Sequence, residues 1–99
     1  MVDRWTRSYL VECYWPGISS EKVAETEEHL RARVATLRVE GRDVAFLGSI
    51  LVPVDESLFF LFDGEEADVQ MVTTLAGVPF GRVLASLRSG PAVSSATGL

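Results

Sequence analysis

Residues 43–62 read DVAFLGSILVPVDESLFFLF. Apolar side chains occupy both parities of the alternation from Asp43 to Val54, and again in the LFFLF of 58–62. This is the pattern of strands buried on both faces. Asp55-Glu56-Ser57 supplies the turn between them, so the stretch reads as two adjacent strands. A sheet containing such strands needs cover on both sides, and what supplies that cover decides how the chain is assembled.

Upstream, residues 5–15, WTRSYLVECYW, are rich in aromatic and β-branched types without a helical stripe, and Pro16-Gly17 ends this first strand. From Ser19 or Ser20 as N-cap, with Glu21 in the first turn, apolar residues recur at Val23, Leu30, Val34 and Leu37 until Gly41. The spacing predicts an amphipathic helix of about 20 residues, roughly 30 Å long. Downstream, Asp63 followed by Glu66 has capping-box spacing. A shorter helix in EEADVQMVTTLAG is expected to turn Ala67, Met71, Val72 and Leu75 inward, closed by Gly77 and Pro79. RVLASL at 82–87 fits a last strand, and SGPAVSSATGL at 89–99 a flexible tail after a domain at 1–88.

The order βαββαβ is the split βαβ signature of an α+β, ferredoxin-like sandwich, a four-stranded antiparallel sheet with two helices on one face. Two helices cover one sheet face. Since Phe46, Ile50, Phe59 and Phe60 crowd the hairpin, apolar groups are left for the other face. A homodimer with sheets packed face to face, a dimeric α+β barrel, is the economical cover, and such a barrel would hold a cavity for a small apolar ligand.

Composition narrows the partners. The 99 residues include 14 acidic and 9 basic side chains, a formal charge of −5. That balance, with one lysine (Lys22) and scattered arginines, repels a phosphate backbone, so no nucleic-acid partner is expected. The single Cys13 excludes an internal disulfide and reads as an apolar filler in a reducing cytoplasm. No run reaches the length of a membrane span, and MVDRWTR enters a strand without a signal-peptide core, so a cytoplasmic protein with no membrane partner is expected. No phosphate loop, nucleophile elbow, zinc-protease motif or dinucleotide fingerprint is present, and no cofactor is expected.

Three runs taken together, YLVECYWPGIS, FLGSILVPVDESLFFLF and VTTLAGVPFGRV, resemble a family of small actinobacterial ferredoxin-like proteins. That domain-of-unknown-function family includes a nickel-binding, nickel-responsive member. The resemblance spans residues 8 to about 88 and rests on Tyr-x-Val-Glu-x-Tyr/Phe-x-Pro-Gly at 9–17, Gly48-Ser49, Asp55-Glu56 and Ala76-Gly77-Val78-Pro79. It implies a dimeric ferredoxin-like fold and, for most relatives, no assigned chemistry. Many relatives also carry a cysteine on the third strand, where this chain has Phe59-Phe60. Nickel sites of that sort use imidazoles, and this chain has only His29, so no metal ligand is assigned.

Glu12 is the candidate working group. It shares strand parity with Leu10 and Tyr14, opposite to Tyr9, Val11 and Cys13, and its available partners are Tyr14, Ser49 and one of Arg7, Arg82 or Arg88. In an apolar setting a carboxylate must be paired, hydrogen-bonded or protonated, which fits either a structural ion pair or a general base. Tyr9, Ser49, His29 and Phe60 are the candidate ligand contacts. His29, between Glu25 and Arg33 at four-residue spacing, reads as a boundary histidine of the long helix. The acidic run Asp63, Glu65, Glu66 and Asp68 reads as a solvated helix N-terminus.

Two function classes stand. One is a homodimeric module that binds a small apolar or aromatic molecule without turning it over. The other is a cofactor-free isomerase, cyclase or monooxygenase in which Glu12 is the base and Tyr14 or Ser49 polarises the substrate. Nickel or other divalent-metal binding is a third reading, weakened by the single histidine.

Overall fold

Alternation along the first strand sorts its side chains onto two faces. In the computed structural model, which describes residues 5–79 and 81–89, β1 (Trp5–Tyr14) buries Tyr9, Val11 and Cys13 on one side. On the other side it carries Leu10 and Glu12, both half-buried, and the exposed Tyr14. After β1 come α1 (Ser20–Val39), β2 (Val44–Val52), a 3-10 turn (Pro53–Asp55), β3 (Ser57–Gly64), α2 (Glu66–Leu75) and β4 (Arg82–Ser89). The sheet order is β2-β3-β1-β4 with every pairing antiparallel, the ferredoxin-like α+β arrangement expected from the element order. Apart from Ser89, the expected tail lies outside the described residues.

Helix α1 starts where Ser19 accepts a hydrogen bond from the Lys22 amide at 3.1 Å, and Gly41 follows its C-cap residue Glu40. It buries Thr26, Leu30, Val34 and Leu37. Leu30, Val34 and Leu37 meet Val11, Cys13, Val44, Leu58, Phe60 and Phe62 of the sheet, together with Val69 and Val72 of α2, in one core. The Phe46 ring tilts against Phe60 and Phe62, with centroids 6.0 and 5.3 Å away, and the Arg31 guanidinium lies over it at 5.3 Å.

Strand β2 contains a bulge. Phe46 pairs with Phe62 but Gly48 pairs with Leu61, so Leu47 is the extra residue, and Gly48 takes a φ of +142°. Before the bulge Val44 and Phe46 share the helix face with Phe62. After it Ser49 and Leu51 do so, opposite Phe60 and Leu58. One inserted residue thus explains why the segment is apolar on both parities.

Helix α2 departs from expectation in two ways. The capping box does not form: Asp63 remains in β3, and the N-cap is Glu65, whose side chain makes no cap hydrogen bond. The buried face is also rotated, with Asp68, Val69, Val72 and Thr73 inward while Ala67 and Leu75 are displaced from the expected core. Leu75 is 47% exposed. The cause is Asp68. Its carboxylate accepts hydrogen bonds from the Asp43 amide at 3.0 Å and from Arg42 at 3.3 Å, which ties that side of the first turn to the start of β2. Asp68 is therefore a buried anchor, not part of a solvated acidic run.

Gly64 lies where β3 crosses the start of β2. Its φ is +128°, and a Cβ there would collide with the Asp43 carbonyl oxygen. Gly64→Ala therefore has to displace backbone, and we expect a loss of about 2 kcal/mol or more, read as a lowered urea midpoint. An unchanged midpoint would contradict this packing. No helix among the described residues is long and apolar enough to cross a membrane.

Candidate functional site

The two sheet faces offer different surfaces. On the face away from the helices, register aligns Gly48, Leu61, Leu10 and Leu84 in one row, and Ile50, Phe59, Glu12 and Arg82 in the next. Ile50 is 57% exposed, and Leu10, Phe59, Leu61 and Leu84 are half-buried. Two ion pairs flank this apolar patch. Arg82 Nε donates to Glu12 Oε1 at 2.5 Å at one end. At the other, Ser8 Oγ and Arg88 Nη2 donate to the two carboxylate oxygens of Asp63, each at 2.6 Å.

Glu12 thus has the partner type expected for a structural charge, and of the three arginines considered Arg82 takes the role. Arg7 lies on the opposite parity, and Arg88 is bound to Asp63. Tyr14 shares the face with Glu12 but is 66% exposed beyond the patch. Ser49 is a correction. The bulge turns it to the helix face, where its hydroxyl donates a hydrogen bond to Glu27 Oε2 of α1, so it cannot join Glu12 across one substrate. Phe60 is a second correction, since it is fully buried in the core and meets no open space. His29 is exposed on the outer side of the helices, beside a shallow hollow of about 250 Å³ shared with Ala32, Arg33, Leu75 and Ala76. Glu25, one turn earlier, is held below the usual carboxylate range, first by its hydrogen bond from Lys22 and that residue's charge, and to a lesser degree by His29. Among the described residues no three His, Cys, Asp or Glu side chains come together.

Tyr9 is the candidate that meets a cavity. The chief helix-to-sheet packing is α1 on β2 and α2 on β3, and the margin of the helix face along β4 is less covered. There Leu87 is 66% and Trp5 55% exposed, and Arg7 and Ala85 are exposed as well. Arg7, Tyr9, Ala85, Ser86 and Leu87 line a groove of about 510 Å³. Tyr9 is 6% exposed as a whole residue, and its hydroxyl, which makes no hydrogen bond with the described residues, is open to the groove rather than buried. Arg7 and Leu87 are register partners, as are Tyr9 and Ala85, so two neighbouring rows build the groove. The odd parity of Arg7 and Tyr9 in β1 was a readable signal for this grouping. The gap above them was not, because it depends on where the helices lie.

Burial, and secondarily the charge of Glu12, pushes the Cys13 thiol up to about 11, which fits its reading as a core filler. The unfolded thiol ionises near its ordinary value of 9.0, so between that pH and about 11 the native state holds the extra proton. Stability from this group is complete below that window and falls as pH rises through it. Wild type should therefore lose stability relative to Cys13→Ala between about pH 9 and 11 in urea titrations. Parallel pH profiles would refute the burial of the thiol. The ion pairs should also separate by burial. Glu12→Gln, facing a 65% exposed Arg82 side chain, is expected to cost less than about 1 kcal/mol. Asp63→Ala removes the acceptor of the fully buried Ser8 hydroxyl and the carboxylate paired with the 18% exposed Arg88 side chain, and is expected to cost about 2 kcal/mol or more. Equal costs in urea denaturation would contradict that ranking.

The sequence matches no protein-family model, and no curated protein matches it. Solved structures do match. The crystal structure of SCO4226 from Streptomyces coelicolor A3(2) is similar with a TM-score of 0.61 and 19% identity, over 88% of this chain and 99% of that one. A solution structure of a hypothetical Arabidopsis thaliana protein, AT3G17210, is similar at 16% identity and a TM-score of 0.45, over 89% of each chain. The likeness to the Streptomyces protein carries the fold: this chain has the same ferredoxin-like α+β architecture.

Proposed function

We propose that the protein is a homodimeric binding module that takes up a small apolar or aromatic molecule without turning it over. The observation that carries the reading is the groove of about 510 Å³ beside Tyr9, walled by Leu87 and Ala85 on the thinly covered margin of the helix layer. Its size suits a small ligand, and aliphatic and aromatic walls with few polar groups are the usual lining of such sites. The engagement of Glu12 by Arg82 favours binding over catalysis, because the carboxylate already serves as one half of an ion pair between β1 and β4.

The dimer is proposed on the opposite face. Leu10, Phe59, Leu61, Leu84 and the 57% exposed Ile50 form one apolar patch, framed by Glu12–Arg82 and Asp63–Arg88. An apolar centre with charged edges is the anatomy of an interface between copies, and packing there leaves the groove on the helix face open.

A thermal-shift screen of small aromatic compounds tests the binding claim. Ligand at about 100 times its Kd stabilises the native state by about 2.7 kcal/mol, a rise of several degrees for a domain of this size. Ala85→Trp, which fills the groove, should abolish the rise. If no compound raises the melting temperature of wild type, or if Ala85→Trp responds as wild type does, the reading fails.

A further inference from the structure

Resting on that reading, we infer that the groove beside Tyr9 selects apolar molecules that carry a carboxylate, with Arg7 and the Tyr9 hydroxyl as its anion-binding pair. Four of the arginines in the described structure have carboxylate partners: Arg31 with Glu27, Arg42 with Asp68, Arg82 with Glu12 and Arg88 with Asp63. Arg7, like Arg33 and Arg38, has none among the described residues; of these three it alone lines this groove, and it is the one charged side chain among the groove's described lining residues. In a chain with a formal charge of −5 and an excess of carboxylates, a guanidinium left without one at the edge of an apolar groove provides local charge complementarity for an anion.

Tyr9 is an independent observation pointing the same way. Its ring is packed in the core while its hydroxyl, which is not among the buried polar atoms lacking a partner, opens on the groove and is free to donate to what enters it. The residue lines the groove, and no described residue accepts from its hydroxyl. A carboxylate has two acceptor oxygens, enough to take one hydrogen bond from the Tyr9 hydroxyl and one or two from the Arg7 guanidinium. The ring or chain of the ligand would then lie along Leu87 and Ala85, whose side chains offer no polar competition. Arg7 and Tyr9 stand two residues apart on β1, so both project from the same face of one rigid strand. Neither group has a hydrogen-bond or ion-pair partner to leave among the described residues.

The test compares 2-naphthoate with its neutral counterpart 2-naphthalenemethanol by calorimetric titration of wild type, Arg7→Gln, Tyr9→Phe and Ala85→Trp. Wild type should bind the carboxylate about tenfold more tightly than the alcohol, the size of effect expected from charge-assisted hydrogen bonds. Arg7→Gln should bring the two affinities together by weakening naphthoate alone, and Tyr9→Phe should weaken naphthoate by a smaller factor. Equal affinities in wild type, or a preference that survives Arg7→Gln, would overturn the carboxylate assignment while leaving an apolar groove. Absence of binding by either compound, or binding that persists in Ala85→Trp, would overturn both the assignment and the groove.

Discussion

Everything in this fold depends on the side-chain alternation of β1, because that strand pairs with β3 on one side and β4 on the other. Tyr9, Val11 and Cys13 go to the helices, and Ser8, Leu10 and Glu12 go to the opposite face. A slip of one residue would exchange these sets and drive the Glu12 carboxylate into the core, at a cost that no single packing interaction could offset. The same parity sets the neighbours. Phe60 and Phe62 face inward because they oppose Val11 and Tyr9, and Arg82 meets Glu12 because the two are register partners.

From that constraint follow two apolar surfaces of different character. The helix layer packs chiefly on β2 and β3, which leaves a margin along β4 where Leu87 stands 66% exposed beside the groove. The outer face of the sheet has no covering layer among the described residues, and its rows run from Ile50 and Phe59 to Leu10 and Leu84. Concave space onto which a phenol opens without a partner among the described residues suits a small molecule, whereas a broad face edged by ion pairs suits a second sheet. Each surface thus has its own proposed occupant, and the two assignments stand or fall separately.

Much of this architecture was legible in the sequence, and the failures have physical causes. Element order could be read because Pro16-Gly17, Gly41, Asp55-Glu56 and Gly77 punctuate runs of clear period. The face of Glu12 was also legible, since strand parity needs no knowledge of neighbours. Its partner was not, because three arginines compete and only register chooses among them. Ser49 was misplaced for a sharper reason. Unbroken alternation from Val44 would have set it on the face of Glu12, and the bulge at Leu47 reverses the parity of everything after it. Phe59-Phe60 is apolar at both positions, so the sequence could not say which ring is core. Asp63 had capping-box spacing but went instead to Ser8 and Arg88, two residues far away in sequence that only the folded sheet brings to it.

The central claim is that the outer sheet face is an interface and the margin beside Tyr9 is not. Sedimentation equilibrium of wild type, Leu61→Glu and Leu87→Glu tests it most directly, since Leu61 lies in the middle of the outer patch and Leu87 beside the groove. The account predicts twice the chain mass of 10.8 kDa for wild type and Leu87→Glu, and a folded monomer for Leu61→Glu. A monomeric wild type, or a dimer that survives Leu61→Glu and is lost in Leu87→Glu, would contradict it.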